Sequence, residues 1–166
     1  MPQGPAARIA DPVSHLLPPV LTGGPTAVTV IIGFKPAWRG IPLAAVAALQ
    51  SAKTAADTAI KTAEAATLAA PDPISKATAY AAEQATKTAA LASMSSAIAS
   101  AGAGTDIHVC ATPSPLPPHG PGVVITPSAT VIIANMPAAR QGDTILEAIG
   151  PPNTISTGCP TVIIGG

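Results

Sequence analysis

The chain has 166 residues, 8 basic and 8 acidic side chains that cancel to a formal net charge of zero, and three aromatics, Phe34, Trp38 and Tyr80. That balance gives no electrostatic grip on nucleic acid and too few rings for base stacking. The length admits one domain, or one domain carrying a sizeable insertion. A core limited to Val, Ile, Leu and Ala buries little apolar area per residue, so a metal ion or an obligate partner is an expected source of extra stability.

In chain order, residues 1–10 lack a basic region followed by an apolar run, which predicts synthesis in the cytoplasm without a signal peptide. Pro5-Ala-Ala-Arg8 with Asp11 then reads as the tail of a unit whose strand is missing. Thr29-Val-Ile-Ile32 predicts a short buried strand, followed by Pro36-Ala-Trp-Arg39. Residues 43–101 change texture: they hold no Gly, only Pro71 and Pro73 of the 20 prolines, and abundant Ala. This is helix composition. Pro42 can start one helix that stops before Pro71, and Asp72-Pro73 reads as the N-cap and first turn of a second that fades at Gly102. Lys53, Asp57, Lys61 and Glu64 line one face and predict a solvated surface, while Ala faces let antiparallel helices approach closely. The uncharged run Thr88–Thr105 is diluted by Ser, Thr and Gly, so no ordinary transmembrane helix is expected.

Beyond the helices, His108-Val-Cys110 places two metal-ligating side chains two residues apart, on one face if extended. With only Cys110 and Cys159 in the chain, that neighbour makes metal ligation a better reading of Cys110 than a disulfide. His119 follows a stretch stiffened by Pro113, Pro115, Pro117 and Pro118. Thr130-Val-Ile-Ile133 with Pro137-Ala-Ala-Arg140 and Asp143 repeats the earlier unit, and Thr161-Val-Ile-Ile164 supplies a third strand. One unit cannot bury both faces of its strand but three around an axis can, which predicts pseudo-threefold symmetry within one chain.

Pro137-Ala-Ala-Arg140 with Gly142-Asp143 resembles the signature of the PAAR-repeat proteins. Ala6-Ala7-Arg8-Ile-Ala-Asp11-Pro-Val-Ser-His15 is similar to the N-terminal pre-PAAR element AARxxDxxxH, and Pro118-His119-Gly120 and the terminal Thr-Val-Ile-Ile-Gly-Gly also resemble family segments. Trp38 departs from the pattern, and so does Glu147, which stands where the family often has Cys or His. The resemblance implies a mainly β fold: a cone-like pseudo-threefold PAAR domain made of 1–42 and 102–166, with 43–101 inserted as an antiparallel helical hairpin. It implies a trimeric VgrG-like spike as partner, in type VI secretion or a related contractile machine that exports the protein and meets the target membrane only in passing. It also implies zinc held by His and Cys near the vertex.

Zinc takes about four N or S ligands, and the chain offers His15, His108, Cys110, His119 and Cys159. His15 follows Asp11 by four residues as Cys110 follows Asp106, and equal offsets in a pseudo-symmetric cone predict equivalent places near the axis. Cys159 aligns instead with Ser128, in a turn expected at the opposite end. The expected ligands are therefore His15, His108, Cys110 and His119, with Cys159 as the alternative cysteine. A site closed by four protein ligands predicts a structural, non-enzymatic metal; Asp106 and Glu147 read as isolated acids. The competing readings are a small zinc hydrolase using Glu147 as base, and a cargo effector. The hairpin is expected to be a side-mounted adapter for a chaperone or effector, outside the cone.

Overall fold

The computed structural model describes every residue except 1–2, 15–19, 23–26, 104, 114–117 and 166. In chain order the elements are β1 (Gly4–Ala6), β2 (Ala27–Ile32), β3 (Lys35–Ala37), α1 (Leu43–Ala69), α2 (Pro73–Ala101), β4 (His108–Pro113), β5 (Pro118–Val124), β6 (Ile132–Ile133), β7 (Met136–Pro137), β8 (Thr144–Glu147), β9 (Asn153–Thr154) and β10 (Cys159–Ile164). The helices, of 27 and 29 residues, outweigh the short strands. The chain as a whole is thus a mixture of helix and strand and not mainly β; the β texture is confined to the two flanks.

Each Thr-Val-Ile-Ile segment belongs to a small antiparallel hairpin. In β2–β3, Ile32 faces Lys35, and in β6–β7, Ile133 faces Met136. The third hairpin is closed by the two ends of the chain, β10 pairing with β1 so that Ile164 faces Gly4. The C-terminal strand is therefore the one that the opening Pro5-Ala-Ala-Arg8 lacked. Gly33-Phe34 and Ala134-Asn135 turn the two continuous hairpins with positive φ at all four residues, as a two-residue turn of the type I′ kind requires.

The hairpins meet in a closed ring. The amide of Ala7 donates to Ala139 O at 2.9 Å, that of Ala139 to Trp38 O at 3.0 Å, and that of Trp38 to Ala7 O at 2.8 Å. A second ring runs from Ile9 to Pro36 O, from Gly40 to Pro137 O and from Gln141 to Pro5 O. These bonds relate the units by an approximate threefold axis. Ala6, Ala37 and Ala138 pack there with Ile32, Ile133 and Ile164; Ala7, Trp38 and Ala139 join a second cluster with Val124, Ile145 and Ile155. Small residues are needed where three backbones converge, and Trp38, 1% exposed, fills the second layer from one unit only.

An arginine–aspartate pair recurs in every unit. Arg8 binds Asp11, Arg39 binds Asp106 and Arg140 binds Asp143, each through its own backbone amide and its guanidinium. Asp106 is therefore not isolated. Burial lifts Asp106 and Asp143 above the ordinary carboxylate range despite the arginines, so these pairs fix geometry more than they add net stability. Arg39 and Arg140 also reach Ala134 O and Gly165 O, each 3.4 Å away, at the end of the neighbouring strand pair, and so tie unit to unit.

In two units the paired residues are three apart in sequence; in the middle one the helical hairpin lies between them. Joining Gly40 to Thr105 would restore the Arg-x-x-Asp spacing, which places the insertion inside the second unit. Asp72 caps α2 by accepting from the amides of Ile74 and Ser75. Between the helices Lys87 bridges Glu64 at 2.8 Å and Glu83 at 2.7 Å. The expected solvated face is only partly so: Lys61 is exposed, but Lys53 is 8% exposed.

The hairpin is also more than a side-mounted adapter. Its base shares one core with the body, Leu49, Met94 and Ile98 packing with Ile41, Val123, Ile125, Leu146 and Ala148. The few large apolar residues among the alanines sit at the flank-facing ends, whereas Leu68 and Ile74 at the far tip are 80% and 81% exposed. We expect Ile98→Ala to destabilise the fold by about 2–4 kcal/mol in urea unfolding. Leu68→Ala should change stability by less than about 0.5 kcal/mol.

Candidate metal centre

Strands β4, β5, β8 and β9 form one antiparallel sheet in that order. Its register aligns His108 with Gly122 and Gly122 with Glu147. Residues directly opposite on antiparallel strands share a face, so His108 and Glu147 look at each other across a glycine. A Cβ on Gly122 would stand 3.1 Å from Glu147 Cγ and 3.0 Å from the Ile145 side chain; a larger residue would fill the gap between the two. Cys110, two residues from His108, lies on the same face and pairs with Gly120.

His108, Cys110 and Glu147 form a buried group whose ligand atoms all lie within 4.8 Å of one another. His119 Nδ1 is 2.7 Å from Glu147 Oε2, Asn153 Nδ2 donates to Glu147 Oε1, and His108 Nε2 is 3.7 Å from that same oxygen. The Cys110 thiol donates to the carboxylate as well. Burial drives the Glu147 pKa up to about 7, against the pull of Asn153, Cys110 and the Lys53 charge. The carboxyl is thus the hub of the cluster and not an isolated acid.

Of the four expected ligands, the structure brings His108 and Cys110 together. It holds His119 against Glu147, one contact away from the three-residue group. His15 lies outside the described residues. Cys159 sits elsewhere, buried in the cluster of Ala6, Ile32, Ile133 and Ile164 with Sγ 3.3 Å from Thr161 Oγ1. Glu147 escapes a sequence reading that admits only N and S donors. Its signal is present nonetheless: it follows Asp143 by four residues, as Cys110 follows Asp106 and His15 follows Asp11.

The donor set fits zinc. Imidazole N, thiolate S and carboxylate O are the ligands zinc takes, at about 2.0–2.3 Å, and all three are buried here. The Thr22 amide donates to His108 Nδ1 at 3.3 Å, a long contact that must open if Nε2 is to coordinate, because the ring proton then moves to Nδ1. Zinc bound here would cross-link β4 to β8 and draw ionised forms from both Cys110 and Glu147.

Closed units of Arg and Asp, and a buried His/Cys/carboxylate group that could hold a metal ion, define an internally repeated fold. Residues 116–166 match the family model of the PAAR motif. That match covers the C-terminal flank, which carries a PAAR motif. No curated protein and no solved structure matches the chain.

Proposed function

We propose that this protein is a zinc-stabilised, cone-shaped tip that caps a trimeric VgrG-like spike of a contractile injection machine. The observation that carries this reading is the repeat of one exposure pattern in all three units. Ile31, Ile132 and Ile163 are 55%, 57% and 56% exposed, while the next residues, Ile32, Ile133 and Ile164, are buried. One chain thus offers three equivalent apolar contacts to a partner that has three identical chains. Metal of this kind would be structural, so the protein is read as non-enzymatic. Among the described residues no helix is long and apolar enough to cross a membrane, and delivery by the machine supplies the route out of the cytoplasm. A chaperone or effector would meet the far part of the hairpin, where Leu68, Ile74 and Tyr80 are exposed.

Binding of the purified protein to a trimeric VgrG-like spike tests the reading directly. Phe34 sharpens the test: it is fully exposed and holds φ 67, a costly conformation for an aromatic residue. Phe34→Asn copies the equivalent turn at Asn135, so stability should hold or rise while spike affinity drops about tenfold or more. Equal affinity for both proteins would remove the hairpin turns from the interface. Zinc coordination by X-ray absorption tests the structural assignment, since a bound water would reopen the hydrolytic reading.

A further inference from the structure

We propose that the helical hairpin is the back wall of the metal centre, so that metal loading and docking of the helix base are one coupled equilibrium. The inference rests on the metal reading above and goes beyond it by assigning a role to the insertion.

On β5 and β8, Val123 and Leu146 alternate with Gly122 and Glu147, so they point to the opposite side of the sheet. They pack there against Leu49, Met94 and Ile98. Ala148, on the other flank of Glu147, joins the same cluster. The carboxylate is thus held between two residues that the helices grip.

A second contact touches the His119 and Cys110 side. Leu91 Cδ1 lies 2.5 Å from where a Cβ on Gly120 would be, and Gly120 has φ +80. Gly120 follows His119 in the chain and is the pairing partner of Cys110. A Cβ there would meet the Leu91 side chain, so with the helices docked Leu91 occupies the space beside the ligand strands. Lys53 of α1 and Glu147 also line one cleft.

A ligand shifts an equilibrium only through different affinity for its two states. Here those states differ in whether β5 and β8 are backed. With the helices docked, His119 and Glu147 are fixed in register with β4; with them lifted, Val123 and Leu146 lose their cover and the ligand strands lose their support.

Two measurements test this in the full-length chain, with zinc as the probe. The first is amide hydrogen exchange of α1 and α2 with and without zinc. Exchange in the base, around residues 49–56 and 91–98, should slow about tenfold or more when zinc binds, and exchange near residues 66–78 should not. The second is zinc affinity of Leu91→Ala, set against a competing chelator, with circular dichroism to confirm that helix content is kept. An affinity loss of about tenfold is expected. Zinc binding that leaves base exchange unchanged, or a folded Leu91→Ala protein with the parent affinity, overturns the coupling while the metal centre stands. Failure of the parent chain to bind zinc overturns the metal reading and the coupling with it.

Discussion

Replacing Cys110 with Ser should strip zinc from the protein and lower its thermal midpoint far more than the same change at Cys159. Structural zinc in small domains contributes about 10–16 kcal/mol of binding free energy that appears as folding free energy. A loss of only about 4 kcal/mol from this lowers the midpoint by roughly 8–16 °C in a chain of this size. The core is poorly placed to compensate, because its apolar clusters are split around the axis and under the helices. Cys159 is buried among aliphatic side chains and contacts Thr161, an interaction a serine hydroxyl can keep. The check is metal content by elemental analysis together with calorimetry on both variants. Equal losses, or a larger one at Cys159, would show that the wrong cysteine has been placed in the centre.

The grouping of His108 with Cys110 was legible in the sequence, because it rests on local spacing. His108 and Cys110 are two apart, and a strand puts them on one face whatever the tertiary fold. The repeat was legible for the same reason, down to a first unit whose strand is missing. Closure of that unit by β10 is a long-range pairing that only the three-dimensional arrangement displays. The pairing of Arg39 with Asp106 was hidden because the hairpin separates two residues that stand three apart in the other units. Glu147 was hidden for a chemical reason: a carboxylate in a sequence usually reads as solvated, and only its register opposite His108, across Gly122, brings it into the group. The hairpin base was missed because abundant Ala masks the spacing of Leu49, Met94 and Ile98.

Glu147→Gln should reverse its effect on stability according to whether zinc is present. In the metal-free protein the folded carboxyl keeps its proton up to about pH 7, against an ordinary value of 4.5. Between those limits the folded state carries more protons than the unfolded one, so stability falls as pH rises through this window. The full penalty, present above about pH 7, is about 3 kcal/mol. The amide of the variant is neutral at every pH, which abolishes that slope and leaves the metal-free variant more stable than the parent at pH 8 by about 1–3 kcal/mol. Part of the gain is offset because an amide is a weaker acceptor than a carboxylate for His119 and Asn153. Zinc turns the order around. The ionised Glu147 is stabilised by the cation, whereas the amide supplies neither charge nor a strong donor atom, so affinity should fall by roughly a hundredfold or more, beyond the loss typical of an outer-shell change. Urea unfolding at pH 5 and pH 8, each with a chelator or with saturating zinc, gives all four quantities. A metal-free parent whose stability does not change between those pH values would remove the buried, protonated Glu147 from the account. A variant that binds zinc as tightly as the parent would remove it from the metal centre.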